Sequence, residues 1–433
     1  MSALDAPPLP DAVTDVLAGL RRWPDVEGPD LLAADGADRL LLAELAGRLA
    51  GDEGAPRQAG AVTVLDDTHG ALTLGALTLG ARGPRVWQDS VVAERALDAN
   101  AERLGLAGAS ERHPAGAPGT ALVPAGVLDG ARLVLVRLPR SLAALTELAE
   151  AVARSAAPDV VVLAGGMVKH MTPAMNEVLG RCFADVHATR GRHKARVLVA
   201  SGPRDVEPTY PVAEAAPGGF DLWAYGAAFA GPRLDRGARA LLEALGLLPG
   251  TPGARPGESP AGPAVPPGAT VLDLGCGTGV LATSVARDYP DARVVATDVS
   301  AAAVASTALT AQHAGVGDRV ETVRDDAGRD LPGAAFDVVL CNPPFHVGAA
   351  VHTGAASRMF RTAARVLRPG GVLWTVYNSH LRYRAELGRV VGPTTQVARD
   401  RTFTVTRSVA RAEGRAAAPE TPTGRTRPEE ETP

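Results

Sequence analysis

The chain has 433 residues, of which 46% are hydrophobic and 21% are charged, and its formal net charge is −4. This length and composition predict two packed domains and exclude a disordered chain. No apolar run approaches the roughly 20 residues that span a bilayer, and the acidic, proline-containing start of the chain does not resemble a secretory signal. Three scattered cysteines exclude a disulfide framework or a zinc site, so we expect a reduced cytoplasmic protein without a metal.

The first half of the chain shows alternating strand and helix patterns. Residues 61–65 are typical of a buried strand, and residues 85–88 of a second strand that ends at Asp89. The spacing from Asp66 to Asp89 is similar to that from Asp273 to Asp298 in the second half. The repeated spacing favours one plan used twice, with a doubly wound parallel α/β sheet in each half. A chance similarity between two α/β units is the alternative.

A segment rich in proline and glycine is predicted to join two globular halves. Residues 249–268 hold seven prolines and five glycines, which exclude a continuous helix or a central strand, so they predict a linker or long surface loop. Residues 412–433 are rich in Glu and Pro and predict a disordered tail. The predicted divisions are a first domain at 1–228, a second at 229–411 that includes the linker, and the tail at 412–433.

A glycine-rich turn follows the strand predicted at residues 269–274 and opens a helix. Such a turn lets backbone N–H groups face a ligand, but dinucleotide sites and structural turns use similar glycine spacings. This turn has no third glycine at the spacing that a pyrophosphate site requires. Asp273, beside the turn, is placed to meet a cationic amino-acid group, whereas Cys276 is interpreted as a small filler. The predicted nucleoside cradle comprises Asp273, Gly275, Cys276, Gly277, Thr278 and Gly279.

Two further acidic positions fit a nucleoside. Asp298 ends the next predicted strand, where a carboxylate can accept both ribose hydroxyls, although a helix N-cap is the alternative because Ser300 follows. Asp325 and Asp326 end a third strand-like run. We favour Asp326 as the acceptor of an adenine amino group, and a solvated turn is the alternative.

Asn342-Pro343-Pro344-Phe345 directly follows another apolar strand pattern. The Asn342 side chain and the Pro343 carbonyl can orient a planar NH2 group, and the two prolines fix the direction of that carbonyl. Phe345 offers a face on which a flipped base can stack. The alternative is a proline-rich turn after a buried strand. Together with the glycine turn, this stretch predicts methyl transfer from S-adenosyl-L-methionine to an amino nitrogen.

The first half lacks the residues that would carry this chemistry. Its turn keeps a single glycine, Gly70, and the counterpart of the Asn-Pro-Pro-Phe stretch is residues 137–140, which contain no amide or aromatic group. We therefore predict a degenerate copy that acts as a scaffold or an RNA-docking module. Four basic residues of this half are candidate phosphate ligands: Arg137, Arg140, Lys169 and Lys194.

The second half resembles the class I S-adenosylmethionine-dependent methyltransferases. The stretch from Asn342 to His346, with segments 229–242, 368–371 and 378–383, resembles the bacterial ribosomal RNA guanine-2-amino methyltransferases. These enzymes are tandem duplications with a degenerate first copy, so the resemblance covers about residues 15–411. Segments 166–170 and 194–196 are slightly more similar to the large-subunit (23S) enzyme than to the small-subunit (16S) one.

The resemblance implies S-adenosyl-L-methionine as the cofactor and ribosomal RNA, or a subunit assembly intermediate, as the partner. It implies a monomer with no membrane contact. Methyl transfer is assigned to Asn342, Pro343, Pro344 and Phe345, and Asn342 also borders the cofactor. Three alternative functions stay open: a protein glutamine amide methyltransferase, a DNA adenine methylase and a non-catalytic RNA-binding assembly factor.

A run of arginines agrees with an RNA substrate. Arg358, Arg361, Arg365 and Arg368 recur at helical spacing and predict one basic helix face. A solvated outer face of the helix is the alternative reading.

Overall fold

The computed structural model describes residues 8–28, 30–50, 60–248, 258–259, 262–344 and 349–411. Each half of the chain forms a seven-stranded sheet, and buried apolar side chains cover both faces of each sheet. The predicted α/β class with two tandem Rossmann-like units is confirmed. The predicted tail at 412–433 lies outside the described residues and stays a prediction.

The strands of the first sheet are β1 (Val62–Leu65), β2 (Arg85–Trp87), β3 (Glu111–Arg112), β4 (Leu133–Arg137), β5 (Val161–Met167), β6 (Phe183–Ala188) and β7 (Ala195–Pro203). The helices of this half are Asp11–Gly19, Gly36–Leu49, Ala71–Thr78, Val91–Arg103, Ala125–Leu128, Leu142–Ser155 and Pro173–Cys182, with a 3-10 turn at Val168–His170. A two-stranded hairpin, β8 (Val212–Ala216) and β9 (Phe220–Ala224), follows the first sheet.

The second half contains the short hairpin β10 (Glu258–Ser259) and β11 (Gly262–Pro263). Its sheet strands are β12 (Thr270–Leu274), β13 (Arg293–Asp298), β14 (Val320–Arg324), β15 (Phe336–Cys341), β16 (Leu367–Asn378), β17 (Thr394–Arg399) and β18 (Phe403–Val409). Its helices are Arg236–Leu245, Val280–Asp288, Ala301–His313, Ala349–Val366 and Arg384–Val390, with a 3-10 turn at Ser379–Leu381.

The two sheets have the same strand order. The first runs β3-β2-β1-β4-β5-β7-β6 and the second runs β14-β13-β12-β15-β16-β18-β17. The prediction of fully parallel sheets is wrong in one respect, because β7 and β18 run antiparallel to both of their neighbours. A short loop joins each of these strands to the preceding one, and a short loop can connect only antiparallel neighbours. The shared order identifies the halves as two copies of one unit.

The proline- and glycine-rich segment lies within the second copy rather than between the copies. Helix Arg236–Leu245 precedes the segment, and its apolar face belongs to the same buried cluster as Val271 of β12 and Val338 of β15. The segment therefore connects a helix of the second copy to the central strand of the same copy. Residues 249–257, 260 and 261 lie outside the described residues.

The two copies share one buried cluster. Side chains of β4, β5 and helix Leu142–Ser155 of the first copy pack in a cluster that also contains Ala301, Ala305 and Leu309 of the second. Helix Ala301–His313 begins at Ser300, whose hydroxyl caps the helix by accepting from the Ala303 N–H. Because this helix follows the strand that carries Asp298, the contact between the copies lies next to the predicted cofactor site.

Candidate functional site

The predicted site residues of the second copy meet at the carboxyl ends of four adjacent strands. Strands β14, β13, β12 and β15 are neighbours in the sheet, and all of them are parallel. In doubly wound sheets this edge is where ligands bind. The structure therefore brings together the glycine turn after β12, Asp298 on β13, Asp326 after β14 and Asn342 after β15.

The glycine turn bends sharply over the end of β13. The N–H groups of Gly275 and Cys276 both donate to the Thr297 carbonyl oxygen, at 2.8 and 2.9 Å. Gly277 has a φ of +56°, and a Cβ added there would meet no heavy atom within 4 Å. A side chain at this residue would be strained and would fill the open space of the turn, which is the space that a ligand needs.

The remaining turn residues pack against helix Ala301–His313. A Cβ at Gly279 would lie 2.7 Å from a Thr307 side-chain atom, so only glycine permits this approach. Thr307 Oγ1 lies 3.2 Å from the Cys276 Sγ atom. Burial raises the pKa of the Cys276 thiol well above its usual range, which disfavours a nucleophilic thiolate and agrees with the predicted filler role. Thr278 is also buried.

Asp273 is fully buried, and only one of its two carboxylate oxygens accepts a hydrogen bond from the described residues. Its Oδ2 atom accepts from the Ala282 N–H at 3.0 Å, whereas its Oδ1 atom has no hydrogen-bond partner among the described residues. Burial, with a contribution from the nearby Asp298 charge, raises the pKa of Asp273 to about 7. A buried carboxylate without a cation is unfavourable, so a positively charged ligand would stabilise its ionised form.

Asp298 links the glycine turn to the following helix. Its Oδ2 atom accepts from the Gly277 N–H at 3.1 Å, and its Oδ1 atom accepts from the Ser300 N–H at 3.1 Å. The alternative in which Asp298 is the helix N-cap is wrong, because Ser300 holds that position. Burial raises the pKa of Asp298. The carboxylate is thus fixed beside the turn, where a ribose can be bound.

The structure distinguishes Asp325 from Asp326. Asp325 accepts from the N–H groups of Asp326 and Asp330, at 2.6 and 3.0 Å, and lies 3.4 Å from the Arg95 guanidinium of the first copy. Its carboxylate therefore holds the turn together. Asp326 is buried beside Arg358, at 3.8 Å, and burial raises its pKa. Asp326 makes fewer hydrogen bonds than Asp325 among the described residues, and its contact with the adenine amino group stays a prediction.

Asn342 presents an unpaired acceptor at the end of β15. Its Nδ2 group donates to the Asp235 Oδ2 atom at 2.9 Å, and its buried Oδ1 atom has no hydrogen-bond partner among the described residues. Buried polar atoms are almost always paired in proteins, so an unpaired oxygen here suits a donor from a ligand. Pro343 is buried and Pro344 is exposed. Phe345 lies outside the described residues, and its stacking role stays a prediction.

No sequence pattern marks Asp235 as a site residue. This residue caps helix Arg236–Leu245, and its Oδ2 atom accepts from the Gly237 and Ala238 N–H groups at 2.9 and 3.0 Å. An aspartate before an amphipathic helix is a recognisable N-cap signal, but that signal indicates only a capping role. The contact with Asn342 joins residues 107 positions apart, which no local pattern indicates.

The predicted basic face on the arginine run is largely engaged by the protein itself. Arg358 donates to the Pro24 carbonyl, and Arg365 donates to the Gly328 and Leu331 carbonyls. Arg368 pairs with Asp337 at 2.6 Å. Three of the four arginines therefore stabilise loops and a strand end, which corrects the prediction of a continuous RNA-binding face. Arg361 is exposed.

Strand register corrects the predicted correspondence between the copies. Leu65 lies opposite Trp87 and Val136, as Leu274 lies opposite Thr297 and Cys341. The counterparts of Asp273 and Asp298 are therefore Val64 and Gln88, rather than Asp66 and Asp89. The same register makes Arg137 the counterpart of Asn342, as predicted, and Gly70 the counterpart of Gly279, because each glycine precedes the first residue of a helix. The first copy thus lacks both carboxylates and the amide.

Arg137 is not available as a phosphate ligand. Its guanidinium is bound by Asp35, at 2.5 and 2.8 Å, and by Asp38 at 2.7 Å. The same contacts raise the pKa of Arg137, against the opposing effect of burial. Arg140, Lys169 and Lys194 are exposed, so they stay candidates for phosphate contact.

The described residues contain no group of three or more His, Cys, Asp or Glu side chains that could hold a metal ion. Among the described helices, none combines the length and the apolar character that crossing a membrane requires.

Two family models match the chain. The model of the methyltransferase small domain matches residues 219–407, and the model of the RLMG N-terminal domain matches residues 13–204. The ribosomal RNA large subunit methyltransferase G of Streptomyces avermitilis is 34% identical, over 90% of this chain and 96% of that protein. The protein of the same name from Pseudomonas aeruginosa is 36% identical, over 89% of this chain and 96% of that protein. The chain belongs to the ribosomal RNA large subunit methyltransferase G family. The predicted resemblance is thereby confirmed, including its preference for the large-subunit enzymes.

A solved structure supports the fold of both copies. The 16S rRNA methyltransferase RsmC of T. thermophilus, in complex with AdoMet and guanosine, matches with a TM-score of 0.64. The match covers 89% of this chain and 97% of that one, at 23% sequence identity. The shared architecture therefore extends over both units.

Proposed function

We propose that this chain transfers a methyl group from S-adenosyl-L-methionine to the exocyclic 2-amino group of a guanine in large-subunit ribosomal RNA. Membership of the methyltransferase G family supports the reaction and the substrate class. The observation that carries the proposal is the position of Asn342 beside the glycine turn. Its amide nitrogen is bound by Asp235, and its oxygen has no donor among the described residues.

The cofactor fits the residues of the second copy. S-adenosyl-L-methionine supplies a methyl group on a sulfonium and carries an ammonium group. The buried Asp273 carboxylate, whose Oδ1 atom has no partner in the part of the chain that the structure describes, suits a cationic ligand. Asp298, which is fixed beside the open turn at Gly277, is the proposed ligand of the ribose hydroxyls. Asp326, which is buried beside Arg358, is the proposed acceptor of the adenine amino group.

Asn342 would act on the substrate amine. The lone pair of a guanine 2-amino group is delocalised into the ring, so this nitrogen is a weak nucleophile. An acceptor at Asn342 Oδ1 holds the amine in line and stabilises the positive charge that develops on it during attack. The Pro343 carbonyl is the proposed second acceptor, and Phe345 is the proposed stacking face for the base.

We also propose that the first copy docks the RNA through Lys169, Lys194 and Arg140. The Val168 N–H donates to the Lys194 carbonyl at 2.8 Å, so the segments that carry the two lysines are adjacent. Slight burial and the charges of Arg140 and Lys169 lower the pKa of His170, which indicates a positive local potential. Phosphate contacts from such a surface add affinity with little sequence information.

The test uses the full chain with methyl-labelled S-adenosyl-L-methionine and unmodified ribosomal RNA. We expect label in 23S RNA as 2-methylguanine, identified by mass mapping. Replacement Asn342→Ala should reduce kcat by about 100-fold or more while cofactor affinity changes little, because its acceptor is used mainly in the transition state.

Each other outcome contradicts part of the proposal. Label confined to 16S RNA would overturn the choice of subunit, and label on a protein glutamine amide would overturn the substrate class. Cofactor binding without transfer to any RNA would indicate a binding factor instead of an enzyme. The proposed domain limits, the cytoplasmic location and the monomeric state stay predictions.

A further inference from the structure

The amide of Asn342 can present either its oxygen or its NH2 group, and Asp235 determines which. A carboxylate oxygen accepts hydrogen bonds and cannot donate them, so the bond of 2.9 Å between Asp235 Oδ2 and Asn342 requires the amide nitrogen on that side. The amide oxygen is then turned away from Asp235. We propose that Asp235 is a positioning residue for methyl transfer, which holds Asn342 with its oxygen available to the guanine amine. The proposal rests on the proposed function of Asn342.

The position of Asp235 is itself rigid. Its Oδ2 atom is held by two backbone N–H groups in the first turn of helix Arg236–Leu245, and that helix packs in the core of the second sheet. The carboxylate, the Asn342 amide and the substrate amine would form one chain of hydrogen bonds. In such a chain, a charged first acceptor polarises the amide and makes its oxygen a stronger acceptor. Asp235 would therefore both orient and strengthen the group that meets the amine.

Gly237 leaves space beside the Asn342 oxygen. A Cβ at residue 237 would lie 2.7 Å from the Asn342 Oδ1 atom and 3.0 Å from the Asp235 Oδ2 atom. The turn that caps this helix therefore supplies the partner for the amide nitrogen and also keeps a side chain away from the amide oxygen.

The first copy holds the same arrangement without the amide. Asp35 caps helix Gly36–Leu49, as Asp235 caps helix Arg236–Leu245, and Asp35 binds Arg137, which is the counterpart of Asn342. Ala37 stands where the second copy has Gly237. The capping aspartate therefore contacts the residue at the strand end in both copies, and only the second copy has an amide there. The two aspartates form a natural pair of test and control.

The test compares Asp235→Ser with Asp235→Asn in the full chain. Serine caps a helix as well as aspartate does, but its side chain is too short to cap the helix and reach Asn342 together. We expect Asp235→Ser to lower kcat by about 10- to 100-fold, with little change in cofactor affinity or in Tm. Asparagine keeps an acceptor oxygen at the same distance from the backbone, so Asp235→Asn should retain most of the kcat of the unmodified protein.

Two further variants separate positioning from general stability. Asp35→Ser removes the equivalent contact in the first copy and should leave kcat unchanged; an equal loss of kcat in this variant would overturn the proposal. In an Asn342→Ala background, Asp235→Ser should cause no further loss of kcat, because the residue through which it acts is gone.

The outcomes also separate this inference from the proposed function. Full activity of Asn342→Ala would overturn the proposed role of Asn342 and the role of Asp235 with it. A collapse of activity in Asn342→Ala together with normal kcat in Asp235→Ser would overturn only the positioning role of Asp235.

Discussion

Asp89 of the first copy binds Ser300 of the second. The Asp89 Oδ1 atom accepts from the Ser300 hydroxyl at 3.0 Å and from the Ala302 N–H at 2.9 Å. Around them, the Ala301 N–H donates to the Asp89 carbonyl and the Val91 N–H donates to the Val299 carbonyl. These two backbone bonds relate equivalent residues of the two copies. The Asp89 carboxylate has no counterpart in the second copy, because Val299 occupies the equivalent position there.

The contact predicts that a residue of the first copy supports cofactor binding in the second. Asp298, the proposed ribose ligand, lies two residues before Ser300 and accepts from its N–H. Loss of a helix-capping carboxylate costs about 0.5–2 kcal/mol. If the binding free energy of S-adenosylmethionine decreases by the same amount, Asp89→Ala should weaken its affinity by about 2- to 30-fold, as measured by calorimetry.

The control is Asp98→Ala, on helix Val91–Arg103, which begins two residues after Asp89. The Asp98 side chain is 49% exposed, and its partner is Arg112 of the first copy. Unchanged affinity in Asp98→Ala and reduced affinity in Asp89→Ala would support the coupling. Equal affinities in the two variants would show that the ribose turn is stable without Asp89.

The pKa of Asp273 predicts a proton release on cofactor binding. Burial and the Asp298 charge hold the pKa of Asp273 at about 7 in the free protein. A cationic ligand favours the ionised carboxylate and therefore lowers this pKa. Below about pH 7 binding must displace the proton, so S-adenosylmethionine affinity should rise as pH increases from about 6 to 8.

Calorimetry in buffers of different ionisation enthalpy measures the number of protons released. Near pH 6.5 we expect a fraction of one proton, and Asp273→Asn should abolish that release. Proton uptake by the unmodified protein, or a release that persists in Asp273→Asn, would contradict the assignment to Asp273.

Local signals account for the parts of the site that the sequence predicted. The glycine turn, Asp298 and Asn342 each adjoin an apolar strand, so neighbouring residues indicate both their type and their position on the sheet edge. Asp89 and Asp235 lie 211 and 107 residues from the groups they bind, and only the folded topology brings them together. The sequence also could not show that Arg137 is occupied, because its charge is evident from the sequence but its pairing with Asp35 and Asp38 is not.

Asp325 and Asp326 should have separable roles. Asp325 binds two backbone N–H groups and Arg95, so Asp325→Ala should lower Tm through loss of buried hydrogen bonds. Asp326→Ala should instead remove recognition of the adenine amino group. The probe is the inosine analogue of S-adenosylhomocysteine, in which a carbonyl replaces that amine.

The unmodified protein should prefer the adenosine compound, and Asp326→Ala should lose most of this preference. Asp325→Ala should keep the preference in the fraction that remains folded. A preference that survives in Asp326→Ala would exclude this residue from adenine recognition.

The role of the first copy in RNA binding is best tested by point substitutions. Deletion of residues 1–228 would expose Ala301, Ala305 and Leu309, which are buried in the cluster that the copies share, so loss of activity in a truncated chain would have two explanations. Lys169→Glu and Lys194→Glu change only exposed side chains. We expect each to weaken RNA affinity severalfold and to reduce the slope of log K against log salt by about one, with cofactor affinity unchanged.

Arg154→Glu is the control for these charge reversals. Arg154 is exposed in the last turn of helix Leu142–Ser155, whose end lies at the opposite sheet edge because crossover helices run antiparallel to the strands they connect. Arg154→Glu changes the net charge by the same amount as each lysine variant, so a general charge effect would weaken RNA binding equally in all three variants. An RNA affinity and salt slope unchanged by the lysine variants would leave the first copy as a structural partner only, and RNA docking would then have to reside on the second copy.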